Sequence, residues 1–178
     1  MIDRDMHWTL PQRALDYAYQ ELAADGALDR EGIALWAGTA QGSKVRVTHV
    51  LLLRGPGVVR KEGYIGIAPD LLNQVTDALS AIDGDVYLVG QIHGHPPRVS
   101  TDLSHVDIAY GIRAPNYLSI VAPNYGMSPV ARLDECGVHV FETSNGWRRL
   151  RPSEVTSRVT VLHSPAIECL RIGDDQRA

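Results

Sequence analysis

Gly90-Gln91-Ile92-His93-Gly94-His95-Pro96, followed after a loop by Ser104-His105-Val106-Asp107, is the stretch on which the reading of this chain turns. Asp85-Val86-Tyr87-Leu88-Val89-Gly90-Gln91-Ile92 is mostly apolar and too short for a helix, so it predicts a buried strand. The strand delivers His93 and His95 at its carboxyl end, where Pro96-Pro97 breaks regular pairing. Side chains two apart on a strand share a face, so both imidazoles can grip one ion. Residues 104–112 predict a short helix that ends by Ala114, because Pro115 follows. His93, His95 and Asp107 supply the three protein ligands of a catalytic zinc, which keeps its fourth position for water. Amide hydrolysis also needs a carboxylate base and a donor to the developing oxyanion. Ser104, one helical turn before Asp107 and on the same side, suits the second task.

Each half of the stretch also has a purely structural explanation. A His-x-His at a strand end can be a polar edge, and Ser-x-x-Asp at a helix start matches a capping box that favours the helix dipole. Their combination, each in the context the chemistry requires, carries the metal reading, and Ser104 can cap and donate together.

Outward from this centre, Asp70 to Gly84 predicts an amphipathic helix with Leu71, Leu72, Val75, Ala78, Leu79 and Ile82 on one face. Gly32 to Gly38 and Val45 to Leu53 predict two adjacent strands around a Gly42 turn. Residues 10–25 predict a first helix capped by Thr9, with Pro11 in its opening turn and Gly26 as its stop. Arg54 to Gly66, rich in glycine, reads as a loop or a poorly regular strand. Downstream, Tyr117 to Val121 is a strand, and Asn145-Gly146 between Val138-His139-Val140-Phe141 and Trp147-Arg148-Arg149-Leu150 is a hairpin signal. Residues 123–136 read as a loop, Val159 to Leu162 as a last edge strand, and the tail after Pro165 as only partly ordered. The expected fold class is α/β in the α+β sense, a mixed and mostly antiparallel sheet flanked by helices. Residues 1–164 form one domain on this reading, and 165–178 its tail.

Composition sets the outer bounds. At 178 residues the chain is long enough to bury a core without cross-links. Its mean hydropathy of -0.12 and lack of an apolar run of bilayer length give no sign of a membrane span. The acidic start Met1-Ile2-Asp3-Arg4-Asp5 leads into no signal-type segment, so the expected location is cytoplasmic. Cys136 and Cys169 are too few and too far apart for a disulfide framework and read as free thiols. A net charge of -4 argues against a nucleic-acid partner. Arg148, Arg149 and Arg151, the nearest approach to a basic run, read as a solvated face. His49, His105, His139 and His163 have no ligand spacing between them and read as structural or exposed, and Trp36 as core.

The residues resemble the JAMM, or MPN-plus, zinc metalloproteases, whose signature is an upstream glutamate, then His-x-His-Pro, about seven residues and Ser-x-x-Asp. The match runs from about Glu31 to Val121, with His93-Gly94-His95-Pro96 and Ser104-His105-Val106-Asp107 as its second half. The resemblance implies the cytidine deaminase-like JAMM/MPN fold and a zinc ion on His93, His95 and Asp107. It implies Glu31, which opens Glu31-Gly32-Ile33-Ala34-Leu35-Trp36-Ala37-Gly38, as general base, and Ser104 as the residue that steadies the tetrahedral intermediate. The implied activity is isopeptidase or peptidase cleavage after the terminal glycine of a ubiquitin-like or sulfur-carrier-like protein. One departure stands out: eight residues, Pro96 to Leu103, separate His95 from Ser104, one more than the common spacing. Asp102 is therefore a rival third ligand, and Glu62 a rival base. A non-catalytic MPN scaffold and a zinc hydrolase or deaminase of small molecules are the competing functions. The Pro-Cys-x-x-Cys half of zinc deaminases is absent, and no His or Cys cluster offers a second zinc site near Cys136. Oligomeric state stays open, a homodimer included.

Overall fold

The structure, a computed structural model, describes residues 6–127, 131–163 and 166–173. In chain order the elements are β1 (His7–Pro11), α1 (Gln12–Gly26), β2 (Ile33–Gln41), β3 (Lys44–Leu53), β4 (Val58–Lys61), β5 (Tyr64–Ile67), α2 (Pro69–Ser80) and β6 (Tyr87–Gly94). There follow α3 (His105–Tyr110), β7 (Leu118–Ala122), a 3-10 turn (Asn124–Gly126), β8 (Gly137–Glu142), β9 (Gly146–Arg149), α4 (Pro152–Arg158), β10 (Val159–Leu162) and β11 (Glu168–Ile172).

β2 and β3 form the predicted hairpin, closed by Gly42-Ser43 with Gly42 at φ 59°, the positive value that a two-residue turn demands. β2 also pairs antiparallel with β6, which pairs in parallel with β7, and β8 and β9 complete that side of the sheet. On the other side, β1 and β11 lie end to end along β3, both parallel to it, and β10 pairs with β1. The result is a nine-stranded mixed sheet plus the separate β4–β5 ribbon, with antiparallel pairings outnumbering parallel ones by five to four.

Helices cover both faces of this sheet, which explains why β2 is apolar at successive positions rather than alternating. Ala34 and Trp36 join Leu15, Ala18 and Leu22 of α1 and Ile92 of β6 in one core. Ile33, Leu35 and Ala37 face the other way and pack with Leu71, Val75 and Leu79 of α2. Fully burying each such side chain contributes about 1.5–3 kcal/mol, so the two cores together outweigh any surface ion pair in holding the site-bearing strands. Among the described residues no helix is long and apolar enough to cross a membrane.

The structure alters several sequence expectations. Thr9 caps nothing, because it lies within β1; Pro11, in extended conformation, is the N-cap residue of α1. Trp8 and Leu10 alternate inward there, a two-residue period too short to notice beside the stronger helical one. Within Arg54 to Gly66, residues 58–61 and 64–66 belong to a regular ribbon turning at Glu62-Gly63. Within the tail expected to be partly ordered, Glu168–Ile172 pairs with β3 and buries Ile172. The final Asp174 to Ala178 lies outside the described residues. Helix α4, which the sequence reading passed over, starts with Pro152 at its first turn, and the Glu154 carboxylate accepts from the Arg151 backbone N–H at 3.0 Å. Val159–Leu162 is the expected edge strand.

Candidate metal centre

Three elements bring the site together. β6 carries His93 one residue before its end, and α3 begins at His105 with Ser104 as its N-cap. The loop between them places Asp107 over the two imidazoles. The ligand atoms of His93, His95 and Asp107 lie within 4.8 Å of one another, so this group could hold a metal ion. Asp107 Oδ1 stands 3.4 Å from His93 Nε2, and Asp107 Oδ2 stands 3.5 Å from His95 Nε2. These separations are too long for strong direct hydrogen bonds between charged partners.

The donor set fits a metal on the chemistry of each residue. His93 is 0 % exposed and both its ring nitrogens lack a hydrogen-bond partner, a costly state for a buried imidazole that a coordinated ion would relieve. His95 Nδ1 donates to the Ser100 carbonyl at 2.7 Å, which selects the tautomer whose Nε2 lone pair faces the cluster. Burial works to raise the Asp107 carboxyl, but His93, His95 and the Ser104 backbone together hold it far below the usual carboxylate range. Asp107 is thus a fixed anion at any ordinary pH, as a metal ligand must be.

The capping box expected at Ser104 is complete. Ser104 Oγ accepts from Asp107 N–H at 3.1 Å, and Asp107 Oδ2 accepts from Ser104 N–H at 2.7 Å. The cap therefore orients the Asp107 carboxylate as well as starting the helix. Its hydroxyl proton is not consumed by that arrangement and remains available to a second acceptor.

Glu31 arrives through sheet pairing. Ile33 pairs with His93, and Gly94 N–H donates to Gly32 O at 3.1 Å, so the segment just before β2 brings Glu31 to the end of β6, where its carboxyl feels His93, His95 and Asp107. Glu31 is 4 % exposed. Burial raises its carboxyl above the ordinary value; the His93 and His95 imidazoles pull it down and Asp107 pushes it up. The rivals are elsewhere. Asp102 is exposed and paired with Arg149, outside the cluster, and Glu62 is exposed at the ribbon turn.

A cleft of about 210 Å³ adjoins the cluster, lined among others by Ile33, Gln91, Asp107 and Tyr110 on one side and by Tyr64 to Ile67 of β5 on the other. The ribbon that forms this wall is fastened through β4: Lys61 O accepts from Glu31 N–H at 3.0 Å, and Arg60 pairs with the buried Asp25 of α1 at 2.7 Å. Gln91, two residues before His93, went unnoticed in the sequence although its spacing marks the same face. Its amide donates to Ser119 Oγ and accepts from Tyr117 Oη, both at 3.3 Å.

The remaining candidates keep structural roles. His49 and His139 are buried, His105 and His163 are exposed, and none joins the cluster. Cys136 and Cys169 are free thiols. The three arginines keep the solvent-facing character expected of them and also pair with acids: Arg148 with Glu142 and Glu154, Arg149 with Asp102, and Arg151 with Glu154.

No protein-family model and no curated protein matches this chain. Among solved structures it is similar to protein DSY2949 from Desulfitobacterium hafniense, at 13 % identity and a TM-score of 0.54, over 88 % of this chain and 94 % of that one. At that identity the likeness speaks to the fold alone, a mixed α+β arrangement shared over nearly the whole of both chains.

Proposed function

We propose that this chain is a zinc-dependent isopeptidase or peptidase of JAMM type, acting after the carboxyl-terminal glycine of a ubiquitin-like or sulfur-carrier-like protein. The observation that carries the reading is the meeting of His93, His95 and Asp107, with the buried carboxyl of Glu31 near enough for all three to act on its ionisation. Two imidazoles and a carboxylate are a common catalytic zinc set, and zinc held there supplies a Lewis acid that lowers the pKa of water and polarises the scissile carbonyl. Glu31, raised toward the working pH by burial, accepts the proton of the attacking water and hands it to the leaving amine. The Ser104 hydroxyl donates to the carbonyl oxygen as negative charge builds on it. The cleft takes the extended tail of the substrate, whose backbone adds to the edge of β5. A partner-binding scaffold would have no need of the orphaned His93 nitrogens or of a buried acid facing them. Action on a small molecule is the alternative that the same cleft admits.

Metal content of the purified protein tests the ligands: about one zinc per chain is expected in wild type and none in His95→Ala or Asp107→Ala. Zinc retained by both variants would sink the site. Glu31→Gln should keep zinc yet lose cleavage of ubiquitin-like fusions after their terminal glycine. Unchanged turnover would move the base elsewhere, with Glu62 next in line.

A further inference from the structure

We propose that Arg149, at the end of β9, is a positioning residue for the metal ligand His95. Its guanidinium reaches back across 48 residues of sequence to the loop between His95 and Ser104. There Nη1 pairs with Asp102, and Nη2 donates to Thr101 Oγ1 at 3.0 Å. Asp102 is tied to Ser100 in both directions: Ser100 Oγ donates to Asp102 Oδ2 at 2.8 Å, and Asp102 N–H donates to Ser100 Oγ at 3.0 Å. Ser100 in turn presents the carbonyl that receives His95 Nδ1–H. The path Arg149, Asp102, Ser100, His95 thus runs unbroken from the far end of the sheet to a ligand ring.

The loop has no element of its own to hold it. It begins with a turn, Val99 N–H to Pro96 O at 3.2 Å, in which Arg98 sits at φ 67°. It seats its backbone on β8, where Thr101 O lies against Gly137 so tightly that a Cβ there would stand 1.8 Å from it. That contact stops the loop from moving inward, and the Arg149 fork stops it from lifting away. The Arg149 side chain is 44 % exposed and that of Asp102 65 % exposed, so the pair adds little to global stability. Its effect falls on the orientation of the Ser100 carbonyl. Partners of a ligand imidazole typically change metal affinity 10- to 100-fold when removed. The inference rests on the metal-centre reading, and it explains how a loop one residue longer than the family spacing still presents His95 correctly.

The test has two readouts. In metal-free protein, the His95 Nδ1–H proton followed by nitrogen-15 NMR reports the bond to Ser100 without any metal. Zinc affinity, by chelator competition, reports the consequence. Arg149→Ala and the isosteric Asp102→Asn should each broaden or abolish the protected Nδ1–H signal and weaken zinc about 10-fold, with the thermal midpoint of metal-free protein near wild type. Arg149→Lys, able to pair with Asp102 but not to fork to Thr101, should recover part of both. An intact Nδ1–H signal in Arg149→Ala and Asp102→Asn, or wild-type zinc affinity in both, would overturn the proposal. If wild type itself binds no zinc, the metal reading fails by that result, and the NMR comparison still decides whether Arg149 sets His95.

Discussion

Gly94, the residue between His93 and His95, has no room for a side chain. A Cβ at this position would meet Tyr125 Cα at 2.8 Å, its carbonyl carbon at 2.9 Å and its carbonyl oxygen at 3.1 Å. All three are backbone atoms, and the turn that bears them cannot retreat freely. Tyr125 Cβ is already pressed toward Gly26 of α1, Asn124 and Tyr125 both hold positive φ, and Gly126 lies against Leu22. Gly94→Ala must therefore push the 122–126 turn back by about 0.6 Å to reach ordinary contact. That shift strains the Tyr125 N–H to His95 O bond, now 2.7 Å. Overpacking costs about 1–3 kcal/mol and a weakened buried hydrogen bond about 1 kcal/mol more, giving a loss of about 2–4 kcal/mol. With a urea slope of about 2 kcal/mol per molar, the unfolding midpoint should fall by about 1–2 M. The His95 backbone is held by this turn through two bonds, the second from its own N–H to Ala122 O at 2.9 Å. Metal affinity should therefore fall along with stability. A Gly94→Ala protein that unfolds at the wild-type midpoint would refute the claim that the turn is wedged.

Two further outcomes follow from buried or strained groups. Burial, reinforced by Arg149, lowers the His139 imidazole to about 4, against an ordinary value of 6.5. The unfolded chain then takes up a proton that the folded one refuses, so this contribution is intact above pH 6.5 and is lost as pH falls toward 4. The full loss is about 3 kcal/mol, and chemical denaturation of His139→Gln between pH 4 and 7 should show a correspondingly flatter decline than wild type. Arg98→Gly, at the left-handed position of the Pro96–Val99 turn, should stabilise the protein by about 0.5–1 kcal/mol in a thermal melt, because glycine adopts that conformation without strain.

The legible parts of this chain were those whose signal is local. His93-Gly94-His95 and Ser104 to Asp107 announce a shared face and a cap through spacing alone, and Asn145-Gly146 announces its hairpin through turn chemistry. Glu31 became plausible only by resemblance, since its approach to His95 depends on the β2–β6 register, which two irregularities in the ladders of β2 make impossible to count from sequence. β1 and β11 were invisible for a related reason. Each is five residues long and owes its conformation to parallel pairing with β3, a partner that local periodicity cannot reveal. The β4–β5 ribbon was obscured by its glycines, of which Gly63 serves the turn at φ 66°. The ion pairs of the arginines were not legible because their partners, Asp102 among them, are distant in sequence or lie in the β8–β9 hairpin and α4.

The shared edge of β3 also sets a timetable for synthesis. β1 is available to the nascent chain before β3 appears, so residues 44–46 can pair at once. His49 to Leu53 must wait for Glu168 to Ile172, roughly 120 residues further along. At ~5–20 residues per second the interval is on the order of ten seconds. Throughout it, half of a central strand carrying Val50, Leu51, Leu52 and Leu53 presents an open apolar edge, the kind of template on which neighbouring chains aggregate. The last strand is thus a closing seal, and a ribosome that stalls before it leaves behind a chain that a chaperone must shield.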